Sequence, residues 1–164
     1  MDKPRAVLLA TGEGEREMKA YSLLFLRIST GLLLVVWGLV RVMKPDVGAH
    51  VSDKYYSGLG SAHAIQLGWG AILLVVGALV IAGLWRRYSY AAQAVVLVTG
   101  ALSIWKYLLD PFGMWLLDRA SSQILFFPSL GMAAASLVLL AFLDEDRLSL
   151  DHMRAGARSD GGAG

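Results

Sequence analysis

The chain has no cysteine. That excludes disulfides, a thiolate nucleophile, iron–sulfur ligation and cysteine-type zinc sites. Charge is scarce as well: 17% of the residues are Asp, Glu, Lys or Arg, against about 25% in an ordinary soluble domain. So few charges do not wet a whole protein surface, and part of that surface is expected to face lipid. The net charge of +2 is small, and the basic residues form no stripe of the kind that tracks a phosphate backbone, so nucleic acid is not an expected partner. There is no Gly-rich phosphate loop, no Gly-x-Ser-x-Gly elbow and no His-Glu-x-x-His pair, hence no recognisable catalytic set. His50, His63 and His152 lack chelating spacing, so no metal is expected, and only His63 lies near an apolar run, which argues against a bis-His haem.

What the sequence has is apolar length. Hydrophobic residues make up 56% of the chain, and its 164 residues suffice for one compact domain. About 20 apolar residues in a helix cross a hydrocarbon core of about 30 Å. Four runs satisfy this: residues 21–43, 62–85, 88–107 and 121–143. The second and fourth are too long and too free of charge for buried helices of a soluble protein. The first is too long for a cleaved signal segment, and no small-residue cleavage site follows it, so it is read as retained. The expected fold is all-α: residues 1–20 as an amino-terminal segment, 21–151 as a four-helix membrane bundle, and 152–164 as a flexible tail. The Lys and Arg side chains divide ten to five between the two sides, counting Arg27 with the termini. By the positive-inside rule both termini are expected in the cytoplasm, and the localisation is a multi-pass inner (plasma) membrane protein. Residues 108–119 contain Pro111 and Gly113 among large apolar side chains and are expected to form an interfacial turn on the outer face.

Lipid offers no hydrophobic reward for helix pairing, so small residues must let backbones approach. Gly31 and Gly38 are seven apart, as are Gly70 and Gly77, and with Gly131, Ala134 and Ala135 they are the expected inner seams. A homo-oligomer contact is the alternative. Pro128 is expected to bend the fourth span. Arg27 should lie level with Gln93 and hydrogen-bond to it, or else snorkel to the near headgroups.

The outer ends of the spans carry the candidate site. Arg41, His63, Gln66, Lys106 and Asp110, with Gln123, fall at one depth beside Trp37, Trp69, Trp105 and Trp115. One reading is an aromatic belt with ordinary interfacial charges. The sharper reading is a polar, aromatic-walled cavity for a quinone, in which Arg41, Lys106, His63 or Gln66 donates to a quinone oxygen and His63 or Asp110 carries a proton.

Span one reads Leu26-Arg27-Ile28-Ser29-Thr30-Gly31, then Gly38 and Arg41, and the chain after span four reads Asp146-Arg147-Leu148-Ser149-Leu150-Asp151. The first resembles the opening of the DoxX family: an Arg, a Gly four residues later, and a second Gly followed three residues on by a basic residue. The second is similar to that family's closing Gly-Arg-x-Ser-x-Asp. The likeness extends over residues 24–151. Two features depart from it. Asp144, Glu145 and Asp146 stand where the family carries Gly-Pro-Gly, and Gln66 and Gln123 stand where acidic residues are expected. The resemblance implies a four-helix integral membrane protein acting as an accessory or quinone-interacting subunit of a membrane redox complex, with the bilayer, other membrane subunits or further copies of itself as partners. A purely structural subunit and a small transporter are the alternatives, although no inverted repeat favours the last. Ser149 and Asp151 are residue types that accept backbone donors at a turn, so a structural role is expected for the closing motif.

Overall fold

Apolar runs broken by Gly and Pro become helices broken at those residues. The computed structural model describes residues 3–55, 62–120 and 123–160, with side chains from residue 13 to residue 155 within those ranges. Its regular elements are all helical: α1 (Lys3–Met43), α2 (Pro45–Tyr55), α3 (His63–Ala82), α4 (Arg86–Ser103), α5 (Trp105–Leu109), α6 (Pro128–Ala141) and α7 (Leu150–Asp160). Three helical stretches are long and apolar enough to cross a membrane: Glu13–Met43, His63–Ala82 and Ile124–Ala141. The expected third span is shorter and more polar than its sequence run suggested. It starts on Arg86 and Arg87, carries Gln93, and is interrupted at Ile104 before the single turn of α5.

Helix α1 passes straight through the boundary expected at residue 20. Its 41 residues rise about 60 Å, far more than a bilayer needs. Pro45 opens α2 and Pro128 opens α6, positions where a missing N–H costs nothing. Pro128 therefore starts a helix and does not bend one. The Ile124 carbonyl, which a helical donor at position 128 would have bonded, accepts from Phe127 N–H instead. A further helix follows the closing motif. Ser149 Oγ accepts the His152 N–H at 3.4 Å, and α7 runs on to Asp160. Residues 161–164 lie outside the described residues, as do 56–61 and 121–122.

Helices α1 and α3 pack along their glycines in antiparallel register. A Cβ built on Gly31 would sit 3.1 Å from the Gly77 carbonyl oxygen, and one on Gly38 would sit 2.9 Å from that of Gly70. The reciprocal distances are 2.8 Å from Gly77 and 3.0 Å from Gly70. Backbone touches backbone at both crossings, as the sevenfold spacing implied. The α6 seam is different from the expected one. Gly131 has nothing within 4 Å of its would-be Cβ, and the buried residues are Ala133, Ser136 and Leu139. One apolar side chain from each of α1, α3, α4 and α6 (Leu23, Val80, Tyr90 and Leu139) forms the core cluster.

Outside that core the apolar surface is open. Phe25 is 74% exposed and Leu125 81%, which suits lipid and not water. Tyr21, Trp85 and Tyr88 are exposed at one end, and Trp37, Trp69 and Trp105 at the other. Tyr21 and Trp37 are sixteen residues apart on α1, about 24 Å of rise, close to a hydrocarbon thickness. The described residues are all-helical in their regular structure, with three helices long and apolar enough to cross a membrane and aromatic residues at both rims.

Replacing Gly77 by Val should destabilise the fold by about 1–3 kcal/mol or more through overpacking against backbone, read by SDS titration or thermal unfolding in detergent. Gly131→Ala should be close to neutral in the same assay.

Candidate functional site

Two polar clusters occupy opposite ends of the helices. The larger is assembled by the end of α3, the start of α4 and the segment between α6 and α7. Gly83 ends α3 at φ +66, and the Leu84 N–H returns to the Leu79 carbonyl, closing a Schellman turn. Besides needing positive φ, Gly83 has no room for a side chain: a Cβ would lie 2.6 Å from Ser149 Cβ and 2.7 Å from Arg27 Nη1. Into this gap comes Arg27 from α1. Its Nη1 donates to both Asp146 oxygens, at 3.2 and 2.9 Å, and its Nη2 donates to the Leu148 carbonyl at 3.1 Å. Both partners are buried, with side chains 4% and 1% exposed.

The rest of the network closes around the carboxylate. The Tyr90 hydroxyl donates to Asp146 Oδ2. Arg86 Nη1 donates to the Leu143 and Asp146 carbonyls at 2.8 and 2.9 Å, and Ser149 Oγ donates to the Asp146 carbonyl at 2.9 Å. Asp151 Oδ2 accepts the Arg86 N–H at 3.0 Å, while the Asp151 N–H donates to the Gly83 carbonyl at 3.2 Å. Ser149 and Asp151 thus serve the turn and the helix start as residue type suggested. Arg27 does not bond Gln93, whose wholly buried amide finds no partner among the described residues. Its counter-ion is Asp146, in the acidic triplet that stood out only as a departure from a family pattern. Asp146, Tyr90, Arg86 and Gly83 were missed as a unit. The signal in the sequence was an acid on the same side of the membrane as Arg27, two hairpins later.

The second cluster lies at the other end. Arg41 donates through Nη1 to Gln66 Oε1, and Gln66 Nε2 donates to Ser52 Oγ of α2 at 2.9 Å. Gln66 and Ser52 are buried. Gly48 lets α2 lie close, since a Cβ there would collide with Gln66 Oε1. The rings of Tyr55, Tyr107 and Phe126 meet edge to face with centroids 4.8–5.5 Å apart. Of the five candidate residues, the structure brings Arg41 and Gln66 into contact. His63 is exposed at the start of α3, and Lys106 is exposed with Nζ 5.8 Å from the Trp105 ring centroid. Ser52 was not singled out from sequence, and nothing in its local pattern marks it.

Asp110 has a different post. Its carboxylate accepts four backbone N–H groups, from Met114, Trp115, Leu116 and Leu117, at 2.7–3.1 Å. Burial pushes its carboxyl pKa up, but the four amides outweigh burial and hold it well below the usual carboxylate range. A group so placed organises the 111–119 loop and is a poor proton carrier near neutrality. Gly113 at φ +65 makes the turn, and a Cβ there would lie 2.8 Å from the Asp118 carbonyl.

Among the described residues, no three His, Asp or Glu side chains converge to hold a metal. Compared with family models, curated proteins and solved structures, the chain matches none.

Two outcomes follow. Asp146→Leu alone should cost about 3–5 kcal/mol, because it strands a buried guanidinium, while the double variant Arg27→Met with Asp146→Leu should recover much of that loss; unfolding in detergent reads both. For Asp110 the folded pKa is depressed, so its contribution is whole above the unfolded value of about 3.9 and is withdrawn as pH falls from there through the lower folded value. Amide protection at Met114–Leu117 should therefore persist at about pH 4, where an ordinary Asp is half protonated. It should be lost at all pH values in Asp110→Ala.

Proposed function

We propose that the protein is a four-helix multi-pass protein of the inner membrane, with both termini in the cytoplasm. In this reading α4 and α5 together make the third of the four crossings, and the chain serves as an accessory, quinone-interacting subunit of a membrane redox complex. The Lys and Arg division supports the orientation, and the likeness to the DoxX opening and closing residues supports the class. The observation that carries the quinone reading is the partly buried chain of hydrogen bonds from Arg41 through Gln66 to Ser52, with Tyr55, one turn further along α2, in the ring cluster with Tyr107 and Phe126. An apolar ring with carbonyl oxygens needs such a combination: flat apolar walls and a few fixed donors. Arg41 is the donor in this reading, with His63 and Lys106 at the rim. Asp110 holds the neighbouring loop.

A second reading, a purely structural subunit, draws on the open glycines. Gly100 on α4 and Gly131 on α6 have nothing within 4 Å of their would-be Cβ atoms, which leaves close approach available to another membrane helix.

The chain purified in mild detergent should carry quinone in its lipid extract. Arg41→Ala should lower that amount about tenfold, the worth of one charged hydrogen bond. An extract without quinone, together with unchanged quinone-dependent activity in a deletion strain, would sink the first reading. If the structural reading holds instead, Arg41→Ala leaves complex activity intact and Gly131→Leu dissociates the complex.

A further inference from the structure

Where α1 passes the closing segment, Arg16, Glu17, Ala20, Tyr21, Arg147 and Leu148 line a cleft of about 240 Å³. Arg16 and Arg147 are exposed, and two acids beside Arg147 are engaged with other cations. Glu145 pairs with Lys19 and Asp146 with Arg27. Glu17 is the one acid in the lining, so the cleft holds two positive groups against one negative. The Arg147 backbone is pinned on both sides, by the network on Asp146 and by Arg27 on the Leu148 carbonyl, which fixes where its guanidinium starts.

The depth of the cleft identifies its occupant. Tyr21, 65% exposed, belongs to the aromatic rim with Trp85 and Tyr88. Arg16 is five residues further out on α1, about 7.5 Å of rise. A headgroup layer extends roughly 5–8 Å beyond the hydrocarbon on each side, so Arg16 and Arg147 stand at its level. Tyr21 and Phe25, one turn apart and both exposed, continue the face towards the apolar zone, where an acyl chain would lie. Guanidinium groups match phosphate oxygens in geometry and charge.

We propose that this cleft binds the phosphate of an anionic phospholipid headgroup between Arg16 and Arg147. The site rests on the membrane reading and not on the redox one.

The full chain, reconstituted in nanodiscs of mixed phosphatidylglycerol and phosphatidylcholine and then released for native mass spectrometry, provides the test. Wild type should retain phosphatidylglycerol. Arg16→Gln with Arg147→Gln should reduce retention by roughly fivefold per arginine, with unfolding in detergent unchanged because both side chains are exposed. Arg154→Gln, an exposed arginine outside the cleft, should keep wild-type retention. Equal loss in Arg154→Gln, or full retention in the double variant, overturns the site. So does displacement of the lipid by millimolar inorganic phosphate, which would make the free ion the ligand. A chain that never enters the nanodiscs overturns the membrane reading beneath it and is distinguishable from all three.

Discussion

Arg27 keeps a full charge away from water only because the Asp146 carboxylate faces it. Withdrawing two ions from solvent is expensive, and the return depends on geometry and on satisfying the remaining donors and acceptors. Here both carboxylate oxygens receive Arg27, Tyr90 adds its hydroxyl, and the carbonyls of Asp146 and Leu148 take further guanidinium and hydroxyl donors. The arrangement dictates neighbouring residues. Gly83 has to lack a side chain so that Arg27 and Ser149 can approach, and Tyr90 has to be tyrosine for its ring to fill the core while its oxygen reaches the acid. Through this one pair α1, the α3 to α4 turn and the segment after α6 are locked at a common end.

The remainder of the helix packing answers to a different constraint. Lipid is as apolar as the side chains it wets, so contact must come from close backbone approach. The α1 and α3 glycines provide it at two levels, a heptad apart. The helix ends opposite the ionic network are held by shorter links: Arg41 to Gln66 to Ser52 binds α1, α3 and α2, three rings join α2 and α5 to the turn just before α6, and Asp110 winds the 111–119 loop about its own carboxylate. One end is thus a single buried unit, while the other is a set of separable contacts around exposed His63 and Lys106.

The sequence disclosed those features that rest on composition or fixed spacing. Three of the four apolar runs marked helices long and apolar enough to cross a membrane, and glycines seven apart predicted the α1 and α3 seam, because a heptad repeats a helix face whatever surrounds it. The same argument failed on α6. With apolar residues on every side, no contrast separates a lipid face from a protein face, so Gly131 and Ala134 looked as good a seam as Ala133, Ser136 and Leu139. Pro128 lies inside the apolar run but at the first turn of α6, because the run begins earlier than the helix does. In the candidate site, Arg41 and Gln66 could be aligned by depth from either side of one hairpin. Arg27 was matched to the nearest polar residue at its level, Gln93, while its true counter-ion lies 119 residues away. Asp110 was legible as a polar residue at the rim but not as an acceptor of four amides, since that role depends on how the following loop curls.

The separation of Arg27 from Asp146 along the chain has a consequence for biogenesis. A polypeptide is made from its amino terminus, so Arg27 enters the bilayer with the first span, before its counter-ion has been translated. Until the last span is threaded, the arginine has to keep its head among water and lipid phosphates, which its long stem permits. A product that stops short of Asp146 lacks that counter-ion, and its guanidinium has no buried carboxylate to turn towards.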